Sequence, residues 1–393
     1  WTLSRGLGDV YKRQAPLLVG YLRKIQQALG PATPLRVMTS SGSLQRATEL
    51  LAKDTILSGP AAGMVGAVAA ARTAGFDQVP VVGFDMGGTS TDVFCVSSAD
   101  EQSLRQLQEQ TEIAGLQLLA PRLPIETVAA GGGSVIEQDG DRLRVGPRSA
   151  GAIPGPACYR AGGPLTITDA NLLLGRLQLD RFPAVFGLNR DLPPDLTVVR
   201  ERFAELSQAL AQAPEQLAEG ALQLAIERMA AAIRRVSLHR GEDIRDGVLV
   251  AYGGAGGQHA CRLAEELGLK SVLLHPMAGV LSAYGMGQAR QRRRAQKHIG
   301  SLLTLSLLQS LQQQVVDLAN IVRQQLREQG DGAASVLNQS DAWVSIDLRY
   351  TSTEQTLVLP WPSEQTFTEQ SVDGLIQSFQ SLHQRRFGYC EKQ

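Results

Sequence analysis

Residues 81–96 read V-V-G-F-D-M-G-G-T-S-T-D-V-F-C-V. Two apolar, β-prone runs flank Gly87 and Gly88. The hydroxyl residues Thr89, Ser90 and Thr91 follow, and Asp85 and Asp92 stand at the edges. A β-hairpin of this composition can hold nucleotide phosphates. Glycine admits positive φ and lets the backbone approach a bulky anion. Consecutive backbone N–H groups and hydroxyls donate to phosphate oxygens. An acidic residue on the incoming strand, here Asp85, can hold the water shell of a Mg²⁺ ion. The alternative is an ordinary glycine-turned hairpin, in which Asp85 and the hydroxyls only shape the turn. The order of strand, Asp, Gly-Gly, three hydroxyls and Asp favours the phosphate reading, with Asp85 and Asp92 as the candidate catalytic pair.

A second glycine-rich loop follows the strand-like run G-V-L-V-A-Y. It reads G-G-A-G-G-Q over residues 253–258 and leads into a helix at His259–Leu267, then a strand at Ser271–Leu274. That is a β–loop–α–β unit with its loop at the carboxyl end of a strand, where open α/β sheets bind ligands. Gly253, Gly254, Ala255 and Gly256 are candidates for an adenosine-facing wall; the alternative is a plain tight turn. Two such loops suggest two walls of one nucleotide cleft. No G-x-x-x-x-G-K-[ST] stretch is present, and a glycine turn between two strands is not the dinucleotide fingerprint. Three further residues are candidate substrate contacts. His259 competes with a capping or packing role, Asp169 with a helix cap, and Cys158 with buried packing.

The elements that must position these groups can be read from periodicity. Residues 16–29 predict an amphipathic helix stopped by Gly30 and Pro31. Leu35–Met38 predicts a short strand entering the turn T-S-S-G-S, and Ala47–Leu51 a short helical turn. Leu57–Arg72, rich in Ala and Gly after a Gly-Pro start, predicts a helix packed closely on another backbone. Residues 97–180 read as glycine-rich loops, including A-A-G-G-G-S at 129–134, which must fit against something. Thr168 or Asp169 is expected to cap the helix A-N-L-L-L-G-R-L. Residues 197–240 are helical with a break at Pro214. In the second part Leu217, Ala221, Leu224, Ala225, Met229, Ile233 and Val236 make one buried stripe. Beyond Gly300 a Gln-rich helix (302–328), paired strands (343–350 and 355–359) and a last helix (372–385) suggest a separate α+β domain. The basic run Arg290–Lys297 reads as a solvated or subunit-facing segment.

The chain has 393 residues, enough for two or three domains. It carries 38 basic and 38 acidic residues, a balance that suggests neither a nucleic-acid nor an anionic-membrane partner. The cysteines, Cys95, Cys158, Cys261 and Cys390, form no C-x-x-C pair, so structural zinc and a disulfide framework are not expected. No apolar run approaches the ~20 residues of a membrane span, there is no signal peptide, and a cytoplasmic location is expected. The opening residues 1–14 read as a non-native junction, and both ends look cut.

F-D-M-G-G-T-S-T-D-V, A-A-G-G-G-S, G-P-A-C-Y, G-G-P-L-T-I-T-D-A-N-L-L-L-G-R-L and Y-G-G-A-G-G-Q-H-A-C together resemble the hydantoinase A / 5-oxoprolinase family. F-P-A-V-F-G-L-N, G-G-A-G-G-Q-H-A-C and H-P-M-A-G-V-L-S-A-Y-G-M-G favour the 5-oxoprolinase branch. The resemblance implies an α/β chain with an actin-like (ribonuclease H-like) ATPase fold. Its first half would be incomplete, and a C-terminal α+β domain would follow. Residues 15–78 would be the remainder of the first half, 79–299 the second half with a Gly-rich insertion, and 300–393 the truncated C-terminal domain. The implied reaction is ATP-dependent hydrolysis of a cyclic amide, 5-oxo-L-proline to L-glutamate, with ATP and Mg²⁺ as cofactors. Alternatives are an ATP-dependent hydantoinase or ketone carboxylase subunit, and a non-catalytic nucleotide-gated binding module. A hydantoinase B-like component, fused or separate, is the implied partner, and a homo-oligomer is expected. Without that component and an N-terminal phosphate hairpin, these residues alone would be inactive. The chain departs from the family pattern at Ser352, where a glycine is expected.

Overall fold

The computed structural model describes residues 2–100, 102–113, 116–187, 189–329, 342–364 and 366–391. The chain divides into two compact units. One comprises Met38–Gly42 and Lys53–Ala289. The other comprises Trp1–Val37, Ser43–Ala52 and Arg290–Gln393. The boundary expected at 78/79 falls inside the first of these, because the helix before it packs on the sheet that follows.

The larger unit is built on a mixed five-stranded sheet. Strands β3 (Val81–Met86) and β4 (Thr91–Val96) form the expected hairpin. They are joined by β7 (Glu126–Val128), β10 (Val248–Tyr252) and β11 (Ser271–Leu274), in the order β11-β10-β3-β4-β7. β10 runs parallel to both β11 and β3, with Tyr252 opposite Asp85. β4 is antiparallel to β3 and β7, with Asp92 opposite Asp85 and Thr127. Side chains alternate across a sheet, and both faces are covered here. Val82, Phe84, Met86, Leu249 and Ala251 join the core made with α5 (Pro214–Arg240) and α6 (Ala260–Leu267). On the other face Tyr252 meets Gly63 of α2 (Ser58–Thr73), where an added Cβ would lie 2.8 Å from the tyrosine ring.

The helical stretch expected to break at Pro214 does so, as α4 (Leu196–Leu210) and α5. On α5 Leu217, Ala221, Ala225, Met229, Ile233 and Val236 are buried as the spacing predicts, and Leu224 is half-buried. Each fully buried large aliphatic side chain contributes roughly 1.5–3 kcal/mol. The small residues of α2 also have their reason. The backbone of α7 (Leu281–Gln288) lies against it, and a Cβ on Gly66 would come within 2.6 Å of the Leu281 carbonyl.

Residues 97–180 are not only loops. They hold β5 (Gln108–Ile113), β6 (Leu116–Arg122), β7, β8 (Ser134–Asp139) and β9 (Arg142–Ser149). β8 and β9 form a hairpin turned by Gly140 and Asp141, with positive φ at Gly140. The two-residue Gly-Asp turn is the signal that could have revealed it. The first helix, α1, runs over Thr2–Leu29 with Pro16 inside it, well ahead of the expected start. The short strand β1 (Arg36–Met38) lies where expected. Residues 47–49 form a turn after the short strand β2 (Leu44–Arg46) and not a helix; α7 was not foreseen at all.

The second unit has its own core. Leu308 of α8 (Leu305–Gln329), Tyr350, Leu357 and Leu359 pack with Phe367, Val372, Leu375 and Phe379. β12 (Ser345–Leu348) and β13 (Leu357–Pro360) pair antiparallel as expected, beside the last helix, α9 (Glu369–Phe387). Ser352, in the turn between the strands, donates to Glu391 at 2.6 Å. The basic run is less solvated than expected. The Arg290 carbonyl accepts from Leu44 N–H at 3.2 Å, and Arg293 pairs with Glu49.

Candidate functional site

Three glycine segments converge at the carboxyl ends of β3 and β10. The hairpin turn closes on itself through Gly87 N–H to the Ser90 carbonyl (3.0 Å). The segment 131–133 lies directly against that turn. Gly132 N–H donates to the Gly87 carbonyl at 3.0 Å and Gly133 N–H to the Gly88 carbonyl at 2.6 Å. A Cβ on Gly131 would meet Ser90 N at 2.7 Å, so the approach needs glycine. The second loop docks from β10. Ala255 N–H donates to the Met86 carbonyl at 2.9 Å, and Gly253 adopts φ +80 with its Cα against Asp85. Gly88, Gly254 and Gly257 face open space: a Cβ added at any of them would meet nothing within 4 Å.

Asp85 and Asp92 face each other across the hairpin. Burial, and then the charge of Asp92, push Asp85 up to about 6. Burial also raises Asp92, offset by the Thr127 hydroxyl, which donates to it at 2.5 Å. Neither carboxylate forms an ion pair among the described residues. Two facing carboxylates without a basic neighbour fit a hydrated divalent cation. Among the described residues no group of three or more His, Cys, Asp or Glu could hold a metal by protein ligands alone, so such a cation would depend on water and phosphate.

The hydroxyls divide. Thr91 is fully buried and donates to the Ala130 carbonyl, bracing the 131–133 segment; Thr89 is exposed and Ser90 half-buried, so these two are the hydroxyls left accessible at the turn. The three substrate candidates are all buried. Asp169 is the third residue of α3 (Ile167–Leu173); the N-cap is Thr166 rather than Thr168, and Asp169 caps the helix as the other half of a capping box with it. Its carboxylate accepts from Thr166 N–H and hydroxyl, Ala157 N–H and Cys158 N–H, at 2.8–3.0 Å. That arrangement satisfies it as a structural tie between α3 and the 157–158 turn. Cys158 lies under it, and burial and the Asp169 charge raise its thiol far above the range of a nucleophile. His259 is 1% exposed, and burial, then Arg176 and Arg262, lower it to about 4, so it is neutral near pH 7.

Sequence reasoning did not single out Asn171 or Gln258. Asn171 donates from Nδ2 to Gln258 Oε1 at 2.9 Å and lies 3.4 Å from His259 Nε2. The motif T-D-A-N placed it one turn from Thr168, yet no spacing rule links it to residue 258.

A family model described as Hydantoinase/oxoprolinase matches residues 14–295. The chain belongs to the hydantoinase/oxoprolinase family. It is 38% identical over 355 residues to 5-oxoprolinase 1 of Arabidopsis thaliana, covering 87% of this chain and 27% of that protein. It is 34% identical over 395 residues to caprolactamase subunit alpha of Pseudomonas jessenii, covering 96% and 53%. The crystal structure of the ATP-dependent caprolactamase from Pseudomonas jessenii superposes with a TM-score of 0.77 at 29% identity, over 98% of this chain and 54% of that one. The chain thus spans about a quarter of the plant relative and about half of the bacterial one. The mixed α/β architecture is that of a hydantoinase-type protein. Among the described residues no helix is long and apolar enough to cross a membrane.

Proposed function

We propose that this member of the hydantoinase/oxoprolinase family supplies the ATP site of a cyclic-amide hydrolase, with 5-oxo-L-proline as its substrate. The observation that carries the reading is the convergence of three glycine segments around the facing pair Asp85 and Asp92. The names of the relatives support it, since 5-oxoprolinase and caprolactamase both denote action on lactams. We take the β3–β4 hairpin and its parallel neighbour β10 as the second half of an actin-like ATPase fold.

A lactam is resonance-stabilised, and water attacks it poorly. Transfer of the γ-phosphoryl group to the amide oxygen forms an O–P bond, breaks the bond to the β-phosphate and releases ADP. Water adds to the activated carbon, the C–N bond breaks as the nitrogen takes a proton, and a second water hydrolyses the resulting acyl phosphate to the open amino acid and free phosphate. The protein's task in the first step is to position and neutralise phosphate charge. Backbone N–H groups of the hairpin turn and the hydroxyls of Thr89 and Ser90 face the phosphates, and Gly253–Gly256 receives the adenosine. Asp85 would hold a hydrated Mg²⁺, which would supply neutralisation of the phosphates. Ring opening needs a hydantoinase B-like component; the designation of a relative as subunit alpha supports a multi-component enzyme.

The competing reading is a hydantoinase using the same activation, because the family model covers both activities by description. Phosphate release is the test, measured with ATP and each cyclic amide in the presence of the second component. Release stimulated by 5-oxoproline but not by hydantoin is the expected result. Stimulation by hydantoin alone transfers the assignment, and release indifferent to any amide removes the hydrolase reading.

A further inference from the structure

Helix α3 touches two of the three glycine segments. At one turn, Thr168 N–H and its hydroxyl both donate to the Gly132 carbonyl, at 2.8 and 2.9 Å. Three residues on, Asn171 donates to Gln258 and to His259. Residues three apart lie on one helix face, so a single short face grips both loops. The Gly132 end is fixed to the hairpin turn through Gly87, and the Gln258 end belongs to the loop that docks on Met86.

The Asn171 side is built with care for polarity. An amide NH₂ only donates, so in this arrangement His259 Nε2 accepts and the ring proton sits on Nδ1. His259 stays neutral first through burial and then through Arg176 and Arg262, which are themselves tied to Glu219 at 2.8–2.9 Å. Asn171 is fully buried, and its Oδ1 has no hydrogen-bond partner among the described residues. Natural proteins seldom bury an unpaired acceptor, and leaving one costs about 1–3 kcal/mol. An apolar residue of similar size would remove that orphan, but it would leave the buried His259 Nε2, and Gln258 Oε1, without the donor they have here. The two bonds made by Nδ2 thus tie this buried side chain to both residues at the end of the second glycine loop.

We propose that Asn171 is a positioning residue for nucleotide binding: through Gln258 and His259 it sets the second glycine loop at a fixed distance from the phosphate hairpin, with Thr168 holding the opposite end of the same brace. The proposal rests on the phosphate-site reading above. Asn171 itself does not touch the nucleotide. It acts by keeping Gly253–Gly256 in the position where adenosine is met, so its loss lowers affinity through pre-organisation.

The test is a double-mutant cycle on ATP affinity, measured by calorimetry with Mg²⁺ present in the intact protein. The variants are Asn171→Leu, Gln258→Ala and the pair together. Each single change is expected to weaken ATP about tenfold, and the pair by little more than either alone, since both break one brace. Gln258 is half-buried on a loop, so Gln258→Ala keeps the test open if Asn171→Leu fails to fold. Asn171→Leu leaves the buried His259 Nε2 without its donor and should lower the melting temperature modestly, whereas Gln258→Ala should leave it near wild type, so affinity lost in Gln258→Ala is not a stability effect. Wild-type ATP affinity in all variants, with or without a lower melting temperature, overturns the brace and leaves the phosphate site standing. Absence of ATP binding by the wild-type protein overturns the phosphate site and the brace together.

Discussion

At the residue scale the decisive feature is that burial acts in opposite senses on Asp85 and His259. Asp85 has a folded-state value raised from 3.8 to about 6. The folded chain therefore binds the extra proton between those values, and this group's contribution to stability falls as pH rises from 4 to 6. His259 is lowered from 6.5 to about 4. The unfolded chain binds the extra proton there, so its contribution is complete above 6.5 and is lost as pH falls towards 4. Asp85→Asn should thus raise the melting temperature of the nucleotide-free protein at pH 7, while turnover in the assembled enzyme falls roughly a hundredfold, a common magnitude for loss of electrostatic stabilisation. Turnover that survives with reduced thermal stability would make the hairpin purely structural. His259→Gln should flatten the acid side of the stability profile between pH 6.5 and 4, read from melts across that range.

At the element scale the neighbouring glycines 253 and 254 separate folding from binding. Gly253 has φ +80, and a Cβ there would lie 2.3 Å from Asp85 Oδ1 and 2.6 Å from the Met86 carbonyl. Gly253→Ala is expected to cost about 1–3 kcal/mol of stability through strain and overpacking. Gly254 has nothing within 4 Å of the same position. Gly254→Val should leave the denaturation midpoint close to wild type and weaken ATP at least tenfold by intruding on the loop's open side. An unchanged ATP affinity in Gly254→Val would remove this loop from the nucleotide site. Gly131 belongs with Gly253, because its close neighbours are the backbone atoms of Thr89 and Ser90.

At the scale of the whole molecule, each compact unit carries its own apolar core. Phe379 is buried against Tyr350 with ring centroids 4.9 Å apart, in the unit without the glycine segments. Phe379→Ala should destabilise that unit by about 3–5 kcal/mol. Chemical unfolding should then show an early transition, while ATP affinity measured below it stays at the wild-type value. A matching loss of affinity would mean that the two units unfold as one and that the C-terminal region supports the site.

Much of this arrangement was legible in the order of residues. The hairpin 81–96, the β–loop–α–β unit around Gly253–Gly256 and the stripe on α5 are local patterns, set by alternation, helical spacing and glycine's conformational freedom. These depend on neighbours within a few positions, and one chain suffices to display them. Strands β5 and β7 were missed because polar runs such as Q-E-Q-T-E-I and E-T-V lack the apolar alternation that marks a strand. The grip of Gly131–Gly133 on the hairpin, the burial of Thr91 and the satisfied carboxylate of Asp169 were decided only by the tertiary structure, because each partner comes from a distant segment. The same holds for Asn171, whose partners Gln258 and His259 lie 87 and 88 positions away. Residue types in the sequence state which hydrogen bonds are possible; only the packing of α3 between two loops determines which are made, and therefore which buried acceptor is left without one.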